Sequence, residues 1–519
     1  MKKTLFGATF TTMTLLYAML SAIVILVCLV TGTDVLYGII GSIIILILQL
    51  FISPWLTDLS MKWFYKVEFD GEIPEYLKQF ISETCKKHNM KYPRIGVIDD
   101  GAPNAFTYGV GKNSARVVFT RGLYELLSEE EVKAVVAHEI GHATHYDMVF
   151  MTMAQLIPLV LYAIYEAASS DNDNDSKGGY IAIIAYILYI ISEYIVLWLS
   201  RTREYYADSF AIEETKNPTS LANALVKIGY GLSINSDGKK SKTNALGIFD
   251  AKTSKSLAIT SYKNGEIAKE RINDAMKWER WNVWAKIYEL NSTHPLISKR
   301  LDAISKRCKE FNQEEYIKFN AVQTESYVDD FFLELIIWIL PSLVIILGII
   351  LCFVFMNYIG IVGGLALIIA AITSFFKLSY THKVNEFPKN TVAGLLGEVK
   401  VSGITSIPCT LEGTIIGRGN PGCILNEDFV VKDETGIMFL DYNQPLFLIN
   451  KIFAIFKSEE NFNKIVKVKG WYRRSPVPYV EIYQYEIDGK VKKCHTYTVT
   501  KVLYGLLIVI GIVLMILGI

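Results

Sequence analysis

The chain has 519 residues, which is enough for several domains, and 51% of them are apolar. That apolar share, with a mean hydropathy of +0.29, excludes a purely soluble protein of ordinary composition. The 52 basic and 52 acidic side chains cancel, so the overall charge gives no reason to expect a nucleic acid as partner. The seven cysteines form no C-x-x-C pair, which is typical of free thiols in a reducing compartment.

The apolar residues are concentrated in stretches long enough to cross about 30 Å of hydrocarbon. Seven spans are predicted, at about residues 8–30, 35–56, 148–168, 180–200, 332–356, 358–376 and 502–519. The first follows Met1-Lys2-Lys3, a start that also suits a removed signal peptide. Because no small-residue cleavage pattern follows and a second apolar stretch begins at once, we expect a retained hairpin.

The distribution of lysine and arginine predicts the orientation of these spans. The connection at 168–180 carries only Lys177, and the short connections after the first and fifth spans carry neither residue. By the positive-inside rule, the N-terminus and every large soluble part then lie in the cytoplasm, and the C-terminus lies outside. We expect the membrane to be the plasma membrane.

Soluble segments separate the spans. In residues 57–147, an amphipathic helix near Glu75–His88 precedes three short strands, and a second helix through Val132–Tyr146 opens with Ser128 and Glu131 spaced as a capping box. The predicted strands are Arg94–Ile98, Ala105–Val110 and Ala115–Thr120. Residues 201–331 are predicted to be mostly helical, with a polar loop near Ser233–Thr243.

Residues 385–498 carry β-branched residues between Gly/Pro turns, which predicts a small antiparallel β domain in the form of a barrel. Its predicted strands are Val399–Val401, Gly413–Ile416, Asp433–Leu440, Val466–Gly470 and Tyr479–Ile487. This series resembles an OB-type barrel, in which Trp471–Arg474 would form a regulatory or substrate-recruiting patch. The G-R-G-N-P-G run at 417–422 matches a phosphate-binding pattern, but no helix follows it, so a loop is predicted.

The sequence H-E-I-G-H at 138–142 carries the clearest chemistry. On a helix, His138 and His142 lie one turn apart on one face and can both present a ring nitrogen to one metal ion. Glu139 lies about 100° away around the axis, within reach of a metal-bound water as general base. The alternative, an ordinary solvated helix with two histidines, leaves this spacing unexplained.

A catalytic zinc needs a third protein ligand and one open position for water. Glu204, which follows the fourth predicted span, is the best candidate for that ligand. Asp208, one helical turn later, would accept the second N–H of a ligand histidine and fix its tautomer. Because exposed helices often carry E-x-x-x-D, this pair is informative only together with H-E-x-x-H.

These motifs resemble those of the membrane-integrated gluzincin peptidases, which include the HtpX heat-shock protease and the CAAX prenyl protease. The resemblance covers about residues 1–310 and rests on five runs in the same order. They are P-N-A-F (103–106), A-H-E-I-G-H-A-T-H-Y-D-M-V (137–149), S-R-T-R-E-Y-Y-A-D (200–208), N-P-T-S-L-A-N-A-L (217–225) and S-T-H-P-L-I-S-K-R (292–300).

The resemblance implies roles for individual residues. One zinc ion per chain would be bound by His138, His142 and Glu204, and Glu139 would be the catalytic base. Asn104 and Ala105 would lie on the edge strand that receives the substrate. Without the resemblance, Pro103-Asn104 is typical of a turn.

Two residues of the last run would complete the site. His294 would stabilise the oxyanion, and Arg300 would pair with Asp208 or another carboxylate of the site. Without the resemblance, a histidine before proline is usually structural and an arginine usually lies on the surface.

Three further polar residues need an interpretation. His145 and Asp147 continue past the metal-binding face of their helix, so neither is predicted to be a ligand. Glu193 lies within the fourth span, where a carboxylate is costly; it either faces a hydrated cavity below the metal or forms a hydrogen bond between helices.

The predicted fold class is a polytopic α-helical membrane protein with a mainly helical, zincin-type α+β catalytic domain and a small C-terminal OB-like β-barrel. The predicted domains are a transmembrane hairpin at 1–56, a zinc metalloprotease domain at 57–331 interrupted by a hairpin at 148–200, a hairpin at 332–376, the β domain at 385–498 and a C-terminal helix at 499–519.

The predicted function is zinc-dependent cleavage of cytoplasmic segments of membrane proteins, with the lipid bilayer and a polypeptide substrate as partners. A prenyl-peptide protease of the CAAX type is the alternative within the same chemistry. An intramembrane site-2-type protease would place H-E-x-x-H inside a span, whereas here Glu129, Glu130, Glu131 and Lys133 precede it. A non-catalytic membrane adaptor with a structural metal is the alternative of another class, and it would have no use for Glu139.

Overall fold

The structure is a computed structural model of the whole chain. It describes residues 2–32, 35–99, 103–170, 176–234, 262–263, 266–267, 269–319, 322–323, 325–384, 386–418, 427–456, 459–475 and 477–518. The predicted loops at 233–243 and 417–422 fall mainly outside these residues.

The helices follow the predicted order along the chain. They are α1 (Lys2–Thr31), α2 (Val35–Phe64), α3 (Glu75–Lys87), α4 (Arg121–Leu126), α5 (Glu129–Thr144), α6 (Asp147–Ser170), α7 (Ser176–Thr215), α8 (Pro218–Ile234), α9 (Lys269–Trp281), α10 (Val283–Leu290), α11 (Ile297–Arg307), α12 (Val328–Val354), α13 (Ile359–Thr381), α14 (Val392–Leu396), α15 (Phe447–Phe456) and α16 (Thr496–Leu517).

The strands form three sheets. They are β1 (Glu68–Phe69), β2 (Arg94–Ile98), β3 (Ala105–Tyr108), β4 (Arg116–Thr120), β5 (Tyr262–Lys263), β6 (Glu266–Ile267), β7 (Ile407–Arg418), β8 (Phe429–Lys432), β9 (Ile437–Asp441), β10 (Ile465–Ser475), β11 (Val477–Ile487) and β12 (Lys490–Lys493). β1 to β4 form one sheet, β5 pairs with β6, and β7 to β12 form the third sheet.

The chain divides into two compact units. The first includes Met1–Leu232 and Tyr288–Lys318, and the second includes Lys255–Ile287 and Phe319–Ile519. The boundary falls within α10, so α9 belongs to the second unit although the sequence places it in the catalytic domain.

Six helices of the described chain are long and apolar enough to cross a membrane. They include Thr9–Thr31, Asp147–Ser169, Gly178–Thr215, Val328–Val354, Met356–Thr381 and Thr496–Leu517. Each overlaps one predicted span. The remaining predicted span, 35–56, lies in α2, several of whose side chains fall outside the described residues, and it stays a prediction.

In the first unit, α1, α6 and α7 pack into one apolar cluster. Leu16 and Leu20 of α1, Ile157 of α6 and Leu199 of α7 are among its buried residues. α7 has 40 residues and is therefore about 60 Å long, twice the thickness of the hydrocarbon layer. It is long enough to cross the membrane and still present a soluble segment beyond it.

The small sheet of this unit has the order β1-β2-β4-β3, which leaves β3 at an edge. β2 and β4 are parallel, and β3 pairs antiparallel with β4. The three strands predicted for residues 94–120 are confirmed. The predicted capping box is also present at the start of α5, where the backbone N–H of Ser128 donates to the Glu131 carboxylate at 2.9 Å.

The second unit contains a closed five-stranded barrel. Its strands follow one another in the order β7-β8-β9-β11-β10, and the pairing of β10 with β7 closes the ring. The β9–β11 pairing is parallel, so the expectation of a wholly antiparallel domain is wrong. α15 connects β9 to β10.

Two expectations for this domain are wrong at the level of residues. Val399–Val401 is not a strand: the carbonyls of both valines accept hydrogen bonds from the Asn282 side chain, and Val401 also accepts one from Trp278. The predicted patch at Trp471–Arg474 is buried. The Arg474 guanidinium donates to the carbonyls of Leu396 and Ala275, so it supports the fold from inside.

Candidate metal centre

α5 carries the two histidines of H-E-x-x-H into the interior of the first unit. His138 is completely buried and His142 retains a 17% exposed side chain. Their Nε2 atoms are 3.1 Å apart and face each other. This is the result of the one-turn spacing, which stacks side chains at i and i+4 on one face of a helix.

Glu204 on α7 meets these two nitrogens. Its Oε1 lies 3.4 Å from His142 Nε2, and its Oε2 lies 3.6 Å from His138 Nε2. One donor atom from each of the three residues lies within 4.8 Å of the others. With bonds of about 2.1 Å and tetrahedral angles, ligand atoms around zinc stand about 3.4 Å apart, so the donors fit this ion.

A carboxylate lies behind each histidine. Asp208 Oδ1 is 3.0 Å from His138 Nδ1, and Asp147 Oδ2 is 2.8 Å from His142 Nδ1. A carboxylate at Nδ1 favours the tautomer with its proton there, which leaves the Nε2 lone pair for a metal. The two rings are therefore held in the state and orientation that a metal site requires.

Asp147 is the residue of this site that sequence reasoning missed. α5 ends at Thr144, and Tyr146 adopts a left-handed conformation with φ of +59° before α6 begins at Asp147. That sharp turn brings Asp147 back to His142, whereas a continuous helix would carry it away. The left-handed residue gives no clear signal in the sequence, although Asp147 belongs to the motif that carries the resemblance.

Arg203 holds Asp147 from the other side. It is 2% exposed, and its Nη1 donates to the Asp147 carboxylate. Its Nη2 donates to Thr9 Oγ1 of α1 at 2.9 Å. A continuous chain of hydrogen bonds thus connects the first membrane helix to His142.

Arg300, on α11, balances the charge of the two α7 carboxylates. Its Nε and Nη2 bind both oxygens of Asp208 at 2.9 and 2.6 Å, and its Nη1 lies 3.2 Å from Glu204 Oε2. Complete burial lowers the pKa of the guanidinium, but Asp208 and then Glu204 outweigh it and raise that pKa above its ordinary value. Arg300 is therefore a permanent cation at the site.

Formal charge also favours a divalent cation. Glu139, Asp147, Glu204 and Asp208 provide four carboxylates, and Arg203 and Arg300 provide two guanidinium groups. Two negative charges remain in a buried cluster, and a bound divalent ion would offset them.

Glu139 follows His138 on α5 and is 1% exposed. Among the described residues its Oε1 finds no hydrogen-bond partner. It lines a cavity of about 200 Å³ together with His142, Glu204 and His294. A buried carboxylate oxygen that faces a cavity is suited to accept a proton from a small molecule bound there.

The cavity has further walls from both the sheet and the membrane helices. They include Phe106, Thr107, Asp147, Met148, Met151, Ser200 and Arg203. Glu193 is not one of the described residues that line this cavity. The lining therefore does not support the expectation that Glu193 faces the cavity.

His294 approaches from the segment between α10 and α11. Its Nδ1 lies 3.1 Å from Glu204 Oε2, which leaves Nε2 to face other groups. Arg201 fixes the start of this segment, because its Nη1 donates to the carbonyls of Glu289, Leu290 and Ser292 at 2.7, 3.1 and 2.8 Å. The same α7 segment therefore positions both Glu204 and the segment that carries His294.

Asn104 and Ala105 lie where β3 begins, and both are buried. The Thr120 N–H donates to the Asn104 carbonyl at 3.0 Å, so the backbone groups of Asn104 face β4. Because the direction of the backbone groups alternates along an antiparallel pair, those of Ala105 and Thr107 face away from β4. The Ala105 N–H is already bound to Asn104 Oδ1 at 2.9 Å. Thr107 is thus a second outward-facing position that sequence reasoning missed; its hydroxyl donates to the Glu139 carbonyl at 3.3 Å.

Comparison with known proteins gives one family. The model of peptidase family M48 matches residues 73–308. The chain is 37% identical over 233 residues to a protease HtpX homolog of Methanothermobacter thermautotrophicus, covering 45% of this chain and 87% of that protein. It is 32% identical over 198 residues to a protease HtpX homolog of Campylobacter hominis, covering 37% of this chain and 70% of that protein. The crystal structure of S. mikatae Ste24p aligns with 58% of this chain and 66% of that chain, at 22% identity and a TM-score of 0.34.

Replacing Arg300 should test the charge balance. In Arg300→Met, Asp208 and Glu204 keep their burial but lose their shared cation, so the free energy of unfolding should fall by about 3–5 kcal/mol. The matched control is Arg307→Met on the same helix, whose partner Glu310 is exposed, and it should cost less than about 1 kcal/mol. Chemical unfolding in detergent with a chelator present separates this effect from metal loss. Equal unfolding midpoints for the two variants would contradict the assigned role.

Proposed function

The chain belongs to peptidase family M48 and is a membrane metalloprotease. From this premise we propose that it is a zinc endopeptidase that cleaves cytoplasmic segments of membrane proteins, misfolded ones among them. One observation carries the proposal: two Nε2 atoms and a glutamate oxygen converge at tetrahedral spacing beside a buried carboxylate with an unpaired oxygen.

We assign the metal ligands to His138, His142 and Glu204, with one zinc ion per chain. When bound, zinc supplies a Lewis acid for the scissile carbonyl and keeps one position open for water. Asp208 and Asp147 orient the two histidines from behind, and Arg300 keeps Glu204 and Asp208 ionised and in place.

Glu139 is the general base of this proposal. Its unpaired Oε1 borders the cavity, so it takes a proton from the attacking water and then delivers it to the leaving amine. His294, with its Nδ1 directed at Glu204, donates from Nε2 to the oxyanion that develops on the substrate. Both residues act on charge that appears during the reaction rather than on the resting substrate.

The substrate segment would bind as an added strand along β3. The backbone groups of Ala105 and Thr107 face away from β4 and offer a ladder beside the cavity. A segment that binds there must displace Asn104 Oδ1 from the Ala105 N–H, so Asn104 covers the edge when no substrate is bound.

The barrel of the second unit is proposed to be of the OB type. The ring order β7-β8-β9-β11-β10, the parallel pairing of β9 with β11 and a helix between β9 and β10 support this assignment. We retain the predicted domain bounds, with the metalloprotease domain at 57–331 and the β domain at 385–498.

Metal analysis tests the ligand set. Wild-type protein should contain about one zinc per chain, and His138→Ala and His142→Ala should lose it, because two ligands cannot hold the ion against a competing chelator. Glu204→Ala should lose most of it. His145→Ala is the matched control, since His145 caps the same helix outside the ligand cluster, and it should keep its zinc. Undiminished zinc in all three ligand variants would refute the assignment.

Substitution of Glu139 tests the mechanism. Glu139→Gln keeps the shape and the zinc but cannot accept a proton, so cleavage of an unfolded membrane-protein substrate should slow by roughly 10²–10⁴-fold. His294→Ala should lower turnover by roughly 10²–10³-fold with little change in substrate binding. Both variants should still capture substrate in crosslinking. Wild-type turnover by Glu139→Gln would rule out this mechanism, and a zinc-loaded wild type that cleaves nothing would favour an adaptor.

The proposed orientation places all three large soluble parts of the chain in the cytoplasm, with seven spans in the plasma membrane. Single cysteines in a cysteine-free variant, at Glu83 and at Tyr180, should then react with membrane-impermeant reagent on opposite faces. Glu83 lies on α3 and Tyr180 near the start of α7. Labelling of both positions from the same face would overturn the proposed topology.

A further inference from the structure

The second unit contains a cavity of about 340 Å³ that has no part in the proposed proteolysis. This volume lies within the range of small-molecule sites, about 300–1,000 Å³. Its walls come from the link between α9 and α10, from the facing ends of α12 and α13, and from the start of β7. The lining residues used below are Trp284, Tyr327, Asp330, Phe331, Glu334, Tyr380, Lys383 and Lys400.

The cavity lies at the membrane boundary of this unit. The apolar span of α12 begins at Val328, and that of α13 ends at Thr381. Lining residues fall on either side of these limits: Tyr327 and Asp330 at the start of α12, Tyr380 and Lys383 at the end of α13. Tyrosine and tryptophan are enriched at this depth, where lipid headgroups lie.

One face of α12 supplies the acidic and aromatic wall. Tyr327, Asp330, Phe331 and Glu334 occupy positions i, i+3, i+4 and i+7, which fall on a single helix face. The two carboxylates are therefore one turn apart and point to the same side. The Trp284 ring packs edge-on against Phe331 with 5.0 Å between centroids and closes this wall.

Both carboxylates line the cavity, and each already has one partner in its wall. Glu334 is 6% exposed and accepts a hydrogen bond from Trp284 Nε1. Asp330 Oδ2 is a buried atom without a hydrogen-bond partner in the described part of the chain, and it forms an ion pair with Lys400 Nζ at 3.6 Å. A wall of carboxylates and aromatic faces is the chemistry that binds an ammonium group.

Two lysines also line the cavity. Lys383 follows the end of α13, with its ammonium 5.8 Å from the Tyr380 ring. Lys400 has a half-exposed side chain, and its ammonium also pairs with Glu325 at 2.8 Å. Flexible lysine ammonium groups on the solvent side are suited to a phosphate. The cavity thus offers two negative and two positive side chains, with Lys400 beside Asp330.

We propose that this cavity binds the headgroup of a zwitterionic phospholipid, with a primary ammonium against Asp330 and Glu334 and the phosphate near Lys383 and Lys400. An anionic headgroup without an ammonium would add negative charge beside both carboxylates, so a phosphoethanolamine-type headgroup fits better than a phosphoglycerol one. The bilayer supplies such lipids at the depth of the cavity, and their chains can follow the exposed apolar surface of α12.

The proposal is independent of the proteolytic site and has a direct test. Purified full-length protein in detergent is stripped of lipid and exposed to dioleoyl phosphatidylethanolamine or dioleoyl phosphatidylglycerol, and bound lipid is counted by native mass spectrometry. Wild type should retain one phosphatidylethanolamine and discriminate against phosphatidylglycerol. Asp330→Asn with Glu334→Gln should weaken phosphatidylethanolamine binding by roughly tenfold or more, because charge-assisted hydrogen bonds are lost. Glutamine at 334 can still accept from Trp284, so the fold is retained.

The matched control is Asp329→Asn, an exposed neighbour on α12 that makes the same charge change outside the lining, and it should bind like wild type. Lys383→Gln with Lys400→Gln, at two exposed positions, should weaken binding even if the acidic variant fails to fold. Glycerophosphoethanolamine should compete with the lipid, since the headgroup carries the recognition. Binding that is equal for both lipids, insensitive to both double variants, or unaffected by glycerophosphoethanolamine would overturn the proposal.

Discussion

The burial of two carboxylates on one turn of α7 constrains the first unit more than any other feature. Glu204 and Asp208 are both 4% exposed, and an isolated buried carboxylate would cost several kcal/mol. Arg300 removes that cost by binding both oxygens of Asp208 and approaching Glu204. α11 must therefore pack against α7, and the segment before it, which carries His294, is brought to the cavity by the same requirement. The position of His294 is thus a consequence of charge pairing elsewhere.

α7 also explains how a membrane helix can present a hydrolytic site. Its 40 residues exceed what the hydrocarbon layer needs, so its second half extends the rigid helix into the soluble part of the unit. Arg201, Arg203, Glu204 and Asp208 all lie on this extension. A helix fixes its side chains better than a loop does, and a metal site depends on ligand positions accurate to a few tenths of an ångström. The connection from Thr9 through Arg203 and Asp147 to His142 extends this rigidity to α1.

The sequence predicted those parts of the structure that depend on local spacing. The i, i+4 histidines, the capping box at Ser128 and the short strands around 94–120 follow from helix and strand periodicity, and all are present. Asp147 could not be predicted from spacing, because its role depends on one left-handed residue that reverses the chain at Tyr146. The convergence of Arg300 with Asp208 rests on contacts across more than 90 residues, and only the family resemblance indicated it. The patch at Trp471–Arg474 was wrong for a related reason: a strand with one solvent face alternates in burial, but these four consecutive residues are covered on both faces.

The buried residues Trp471–Arg474 of β10 show how the second unit binds its buried charged side chains. Arg474 is fully buried, and its guanidinium lies 4.5 Å from the centroid of the Trp278 ring of α9. The guanidinium donates hydrogen bonds to two backbone carbonyls. Arg473 instead pairs with Glu481, whose pKa is lowered to about 2 although burial would raise it, because His382 and Arg473 bind its carboxylate. Both arginines therefore find hydrogen-bond partners within the unit. At the α12–α13 ends, Asp330 Oδ2 lies 3.6 Å from Lys400 Nζ and accepts no hydrogen bond among the described residues. An external ammonium group at hydrogen-bond distance would give this acceptor a closer partner than Lys400 does.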